Sequence, residues 1–169
     1  TTCVQERNMG QIATSGTTNL AMMSRAEEVT TPLEENIEDT RPYSLNLTYV
    51  AFVYGDGDNI NIVKGGLAKR MEERLELCAR GKCPPITWGL SPHLARIAPA
   101  ILEWFHSAAL RNKYDYFTLP PSGDLYAYPS LMPDGAKRNF VEKTEADCLI
   151  MGCTSTVSWE WFGTWNEAL

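Results

Sequence analysis

From Tyr49 onward the apolar positions come in blocks separated by polar turns, and their period changes from block to block. Tyr49 to Tyr54 is an unbroken run of β-branched, aromatic and small apolar residues, which predicts a buried strand. Leu67, Met71, Leu75 and Cys78 then fall at helical spacing with Arg, Lys and Glu between them, and Gly81 stands where a C-cap is wanted. Ile86 to Trp88 predicts a second short strand. Ser91-Pro92 reads as an N-cap followed by proline at the first helical position, and Pro99 opens or kinks a further segment carrying Ile101, Leu102, Trp104, Phe105 and Ala108. Tyr116 to Leu119 predicts a third strand. After a loop rich in Pro, Gly and Tyr comes a helix over Ala136 to Met151, with Phe140, Val141, Thr144 and Cys148 along one side, and Ser155 to Ser158 predicts a fourth strand.

Strands alternating with helices imply right-handed crossovers and a parallel sheet, hence an α/β fold. A complete eight-stranded barrel needs about 250 residues, so a partial or distorted (β/α)-barrel or a doubly wound domain is expected for a chain of 169. Parallel sheets bind ligands at the carboxyl ends of their strands. That rim collects Asp56 to Asn59 after the first strand, Trp88 to Ser91 after the second, and Ser122 to Pro129 after the third. Residues 1–45 read as a loop-rich approach segment with Ser and Thr clusters, Pro32 and Pro42, in which Gln11 to Thr14 and Asn19 to Met23 suggest short strands or turns. Residues 46–169 form the α/β domain. The first residue is Thr and the last four are Asn-Glu-Ala-Leu, which reads as a piece of a longer protein.

Composition narrows the partners. With 44% apolar and 21% charged residues the chain is ordinary globular sequence. A net charge of −6 leaves no clustered cation to hold nucleic acid or an anionic membrane, and no apolar run reaches the length of a membrane span. Neutral or cationic ligands are left open. Five cysteines fall as Cys3, a Cys78-x4-Cys83 pair and a Cys148-x4-Cys153 pair. Each pair can close a small disulfide loop at a helix end, and the same spacing suits two reduced thiols. Neither is a CxxC, and with two His in the chain a zinc site is disfavoured. Asn46-Leu47-Thr48 is an N-glycosylation sequon, which together with the cysteines points to a secretory compartment and an extracellular protein.

The loop Asp56-Gly57-Asp58-Asn59 sets two carboxylates and an amide at the exit of a strand. It is not a calcium EF-hand, which wants an oxygen ligand at Ile60 and glycine at Asn61. Nor is it a phosphate loop, since its carboxylates repel the anion such loops cradle. A divalent ion on Asp56 and Asp58 is the residual metal option, without a pair of His to support it; no cofactor is expected.

Four motifs in order, Asp56-Gly57-Asp58-Asn59, Thr87-Trp88-Gly89-Leu90-Ser91-Pro92, Ala98-Pro99 and Pro121-Ser122-Gly123-Asp124-Leu125-Tyr126-Ala127-Tyr128-Pro129, resemble the C-terminal domain of the GxGYxYP family over roughly residues 45–150. That family is grouped with glycoside hydrolases and associated with sugar-processing domains, and the resemblance implies that its N-terminal domain lies outside this chain. The family's second glycine is here Leu125, preceded by the acidic Asp124. If the loop needs positive φ at that position, Leu125 is strained or the loop is reshaped.

The hydrolase chemistry that the resemblance implies asks for two carboxylates flanking a glycosidic bond, one a general acid and one a nucleophile or base, with aromatic platforms for the sugar. Asp56, Asp58 and Asp124 are the catalytic candidates. Asn59, Trp88, Ser122, Tyr126 and Tyr128 are the substrate-binding candidates. The plainer alternatives are that Asp58 and Asn59 cap the following turn, that Asp124 is solvated, and that Trp88 belongs to the core. His93 either lines the site or serves structure, and His106 belongs to packing. Trp159-Glu160-Trp161-Phe162 reads equally as a sugar platform or as an aromatic knot against the rest of a larger protein. Two functions follow: a secreted glycoside hydrolase, or a non-catalytic glycan-binding or structural component of an extracellular assembly that contacts other chains or domains.

Overall fold

The structure, a computed structural model, describes residues 19–36, 42–160 and 163. Three parallel strands, β1 (Val53–Tyr54), β2 (Ile86–Gly89) and β3 (Asp115–Thr118), form a sheet in the order β1-β2-β3. Register pairs Tyr54 with Trp88 and Trp88 with Phe117. The order is sequential, so right-handed crossovers carry both connecting helical segments to the same face. The alternation read from the sequence is present, and the class is α/β.

The first crossover starts with the short helix α2 (Ile60–Ile62), runs through a π-helical turn (Val63–Leu67) and continues as α3 (Ala68–Ala79). Val63, Leu67 and Met71 are fully buried along its inner side. Gly81 ends it with φ of 69°, in the left-handed conformation that glycine adopts without steric cost. The second crossover begins later than Ser91-Pro92 predicts. Ser91 and Pro92 form a turn whose carbonyls accept from Leu94 and Ala95, and helix α4 (Leu94–Ile97) follows it. Helix α5 (Pro99–Asn112) has its proline in the first turn, as read from sequence, packs against α3, and buries Leu102, Phe105, Ala108 and Ala109 in the core.

Beyond β3, α6 (Asp134–Met151) returns along the sheet with Phe140 and Met151 inside, whereas Val141 faces solvent. The fourth strand reduces to a single parallel bridge, Leu119 to Thr156, extending the order past β3. Asn19 to Met23 resolves as a helix, α1 (Leu20–Met23), and Gln11 to Thr14 lies outside the described residues, as does Cys3. The segment after α1 is laid extended across the domain. Val29 N donates to Ala95 O, Leu33 N to Ile150 O, and Asn36 Nδ2 to the carbonyls of Ala109 and Asp115.

The Tyr49 to Tyr54 run differs most from its prediction. Only Val53 and Tyr54 pair as strand, and Val50, Phe52 and Val53 are more than half exposed. Strand β1 is the sheet's edge, and no described residue pairs with its far side. Apolar composition alone cannot tell a strand inside a sheet from one at its margin.

Candidate active site on the strand-end rim

The three loops leaving the sheet are tied to one another by backbone and side chain. Ser91 N donates to Gly57 O at 2.9 Å, joining the first loop to the second, and Leu90 N donates to Thr118 O at 3.1 Å, joining the second to the end of β3, from which the third leaves. Gly57 is required by this approach, because a Cβ built there would stand 1.4 Å from the Gly89 carbonyl oxygen. His93, in the turn before α4, brings Nε2 to 3.2 Å from Asp124 Oδ1. Asp58 lies close enough to Tyr126 for its charge to act on the phenol. The convergence read from the sequence is therefore physical.

Within the first loop the residues divide. Asp56 is exposed. Asn59 Oδ1 accepts from Asn61 N at 3.0 Å and caps α2, so its side chain serves the helix start rather than facing a ligand. Asp58 is half-buried. Loss of solvent pushes its carboxyl above the ordinary value and the charge of Asp56 adds to this, partly offset by backbone hydrogen bonds at Asp58 and Asn59.

Helix α6 organises the third loop from behind. Gly123 turns the chain at φ of 126°, and a Cβ there would meet the Thr144 side chain at 2.6 Å. Leu125, in contrast, is not among the positive-φ residues, so the left-handed turn falls on Gly123 and the expected strain at Leu125 is absent. Thr144 Oγ1 accepts the Asp124 backbone N–H at 3.1 Å and donates to Phe140 O at 2.8 Å. One turn further along α6, Asp147 stands close enough for its carboxyl and that of Asp124 to act on each other, and its Oδ2 is buried without a hydrogen-bond partner among the described residues. Asp124 is 5% exposed. Burial pushes its carboxyl up, but the His93 ring, the Lys143 ammonium and the nearby Asp147 carboxyl outweigh it and hold Asp124 below the ordinary carboxylate value. Asp147 is driven the other way, to about 6, by burial first and then by the neighbouring Asp124 carboxyl, with His93 and Arg96 opposing.

Trp159 completes an aromatic wall. Its ring lies 5.8 Å from that of Tyr126 and 6.5 Å from that of Tyr128, the latter nearly parallel at 16°, and it remains 40% exposed. Glu160 beside it anchors the loop by accepting from Ser130 N and Ser130 Oγ. Trp161 and Phe162 lie outside the described residues. Burial raises the Tyr126 phenol, helped by Tyr128 and Asp58.

Besides Asn59, two sequence candidates leave the site. Trp88 is 1% exposed and points into the core, where Nε1 donates to Asp115 Oδ1 at 2.9 Å. Ser122 is buried, and its hydroxyl is spent on the carbonyls of Ala127 and Trp159, shaping the loop. His106 is core as expected, its ring 4.2 Å from that of Phe117. Asp147 and the weight carried by His93 were missed. Their only signal was a helical spacing, Thr144 to Asp147, that places two polar side chains on one side of α6. Cys78 and Cys83 are bridged, whereas Cys148 and Cys153 stand as free thiols, so the second disulfide is not present. Asn46 is exposed.

A parallel α/β domain whose acidic and aromatic loops meet at the strand ends has the layout of an enzyme or ligand-binding domain of the strand-end type. Residues 46–160 match the family described as "GxGYxYP putative glycoside hydrolase C-terminal domain", and the chain belongs to that family. The fold is similar to the crystal structure of a putative hydrolase from Bacteroides thetaiotaomicron VPI-5482, with a TM-score of 0.76 at 26% identity over 89% of this chain and 28% of that one. The chain thus spans less than a third of that protein's length. No curated protein matches it.

Proposed function

We propose that this chain carries the strand-end acidic site of a secreted glycoside hydrolase. The observation that carries the reading is the pair of rim carboxyls with opposed environments, Asp58 raised by burial and Asp124 held low, beside the Tyr126–Tyr128–Trp159 wall. Glycosidic cleavage needs a carboxyl that still holds a proton and a carboxylate that does not, and separating two such groups by environment is how one site supplies both. Asp58 then gives its proton to the leaving oxygen, and Asp124 acts as base or nucleophile. Tyr126, Tyr128 and the exposed face of Trp159 stack the sugar. Asp56 contributes through its charge on Asp58. The sequential strand order supports a segment of a (β/α) barrel, and the length of the structural neighbour supports further domains around it. The Cys78–Cys83 bridge supports an oxidising compartment, in which Asn46 is an accessible sequon.

The burial of Asp124 favours a second reading, a glycan-binding relative without turnover. Assay of the intact protein on a panel of glycosides separates the two. Asp58→Asn and Asp124→Asn are each expected to lower kcat by at least about a hundredfold with unfolding temperature little changed. Tight glycan binding with no product from the parent protein would support the second reading instead.

A further inference from the structure

The end of helix α6 holds its two cysteines across a glycine turn. Gly152 has φ of 67°, and Cys153 N donates back to Cys148 O at 3.0 Å, the longer of the two bonds of a Schellman cap. With that bond made, backbone dimensions keep the two Cα atoms no more than about 7 Å apart, within the reach of a disulfide. The side chains are turned to one point. Cys148 Sγ lies 3.9 Å and Cys153 Sγ 3.8 Å from the same acceptor, the carbonyl oxygen of Ser155. Cys78 and Cys83 have the same separation around Gly81 and are bridged, with Cα atoms 4.6 Å apart. Cys148 and Cys153 are free thiols.

The surroundings favour the open pair. Both S–H groups donate weakly to Ser155 O, which a disulfide cannot do. Burial pushes both thiols above the ordinary value, Cys153 up to about 12, so the thiolate that begins exchange is scarce. Stabilising the reduced form makes a dithiol harder to oxidise. The pair is nevertheless within reach of solvent. A hollow of about 440 Å3 opens beside it, lined by Glu145, Cys148, Leu149 and Cys153. Cys148 is half-buried and Cys153 is 5% exposed, so an incoming reagent meets Cys148 first.

We propose that Cys148 and Cys153 are a reversible redox pair that a small-molecule disulfide such as oxidised glutathione closes, at a more oxidising poise than Cys78–Cys83. The Cys148 thiolate attacks one glutathione sulfur; the glutathione S–S bond breaks, and the departing thiolate takes up the proton that Cys148 released. Cys153 then attacks Cys148 Sγ, and the second glutathione leaves with the Cys153 proton. Two electrons and two protons pass to the reagent as one S–S bond forms. That bond ties the end of α6 to the stretch that Ser155 O fastens to β3 and its exit, through Thr118 Oγ1 at 2.8 Å and Leu119 N at 3.0 Å. The same stretch runs on to Trp159 of the aromatic wall. The chemistry is independent of glycoside turnover.

The test equilibrates the full-length protein in glutathione buffers of graded ratio, quenches with acid, blocks free thiols with N-ethylmaleimide and maps the cysteine peptides by mass spectrometry. The peptide carrying Cys148 and Cys153 should become unlabelled and lighter by two hydrogens. Its half-closure should need a glutathione poise at least about tenfold more oxidising than that of Cys78–Cys83. In Cys153→Ser the exchange should stop halfway, with Cys148 holding glutathione. Labelling of both thiols at every ratio overturns the proposal. So does closure together with or before Cys78–Cys83, or a parent protein in which either thiol ends joined to glutathione or to Cys3 rather than to its neighbour.

Discussion

At the scale of single residues, the carboxyls of the rim differ through their surroundings and not their chemistry. Asp58 and Asp147 are both raised, first by burial, and both feel a second aspartate. A raised carboxyl binds its proton more tightly in the native state than in the unfolded one. Its stabilisation is complete below the unfolded value and is lost as pH rises through the folded one. Asp124, being lowered, behaves in the opposite sense, and His106, lowered by burial, loses stability as pH falls below its ordinary value. Comparing the parent with Asp147→Asn isolates one group from these. The variant, which cannot titrate, should gain in unfolding temperature relative to the parent as pH rises from 4 to 7.5, most steeply between 3.8 and about 6 and levelling off above that. Thermal unfolding across that range checks this; a difference independent of pH would refute the assignment. The sequence exposed Asp58 as a candidate because it sits at a strand exit. It could not rank Asp58 above Asp56, since the ranking comes from burial that the fold sets: Asp58 is half-buried and Asp56 exposed.

At the scale of elements, α3, β2, α5 and β3 are locked by one buried carboxylate. Asp115 is fully buried and accepts from Arg74 Nε at 2.8 Å, Trp88 Nε1 at 2.9 Å and the Asn112 amide, while Arg74 Nη2 also donates to Pro84 O. A charge removed from water is tolerated only when fully partnered, and removing one partner leaves the others buried and unmatched. Asp115→Ala should cost about 3–5 kcal/mol, lowering Tm by roughly 10 °C. Trp88→Phe should cost about 1–2 kcal/mol through one lost hydrogen bond and leave glycan affinity unchanged. Urea unfolding and a binding titration of the two variants test both; loss of affinity in Trp88→Phe would return that ring to the site. Trp88 looked like a platform in the sequence because it ends a strand beside polar loops. Its partner Asp115, itself held by Arg74, comes from an element 27 residues away, and nothing local announces it. The helices were legible from period and from Pro99 and Gly81, whereas the start of α4 was not, because a Ser-Pro pair supports a turn as well as a cap.

At the scale of the whole molecule, the edge of the sheet is the unfinished part. Leu45, Leu47, Tyr49, Val50, Phe52 and Val53 are each more than half exposed along one stretch, next to an edge strand whose outer backbone groups pair with no described residue. Exposed apolar edges of this kind associate. The chain expressed alone should therefore self-associate at micromolar concentration, and Phe52→Lys with Val53→Lys should suppress this with little loss of Tm. Light scattering against concentration decides it, and a monodisperse parent chain would contradict the expectation. By itself the sequence determined the alternation of strands and helices, the parallel sense that alternation demands, and the three loops that share a rim, because hydrophobic period and turn residues act over a few neighbours. Only the tertiary structure decided which aspartate is buried, which aromatic ring faces solvent, and that Asp147 stands behind Asp124. Solvation and charge pairing are set by residues distant in sequence, and folding alone brings those residues together.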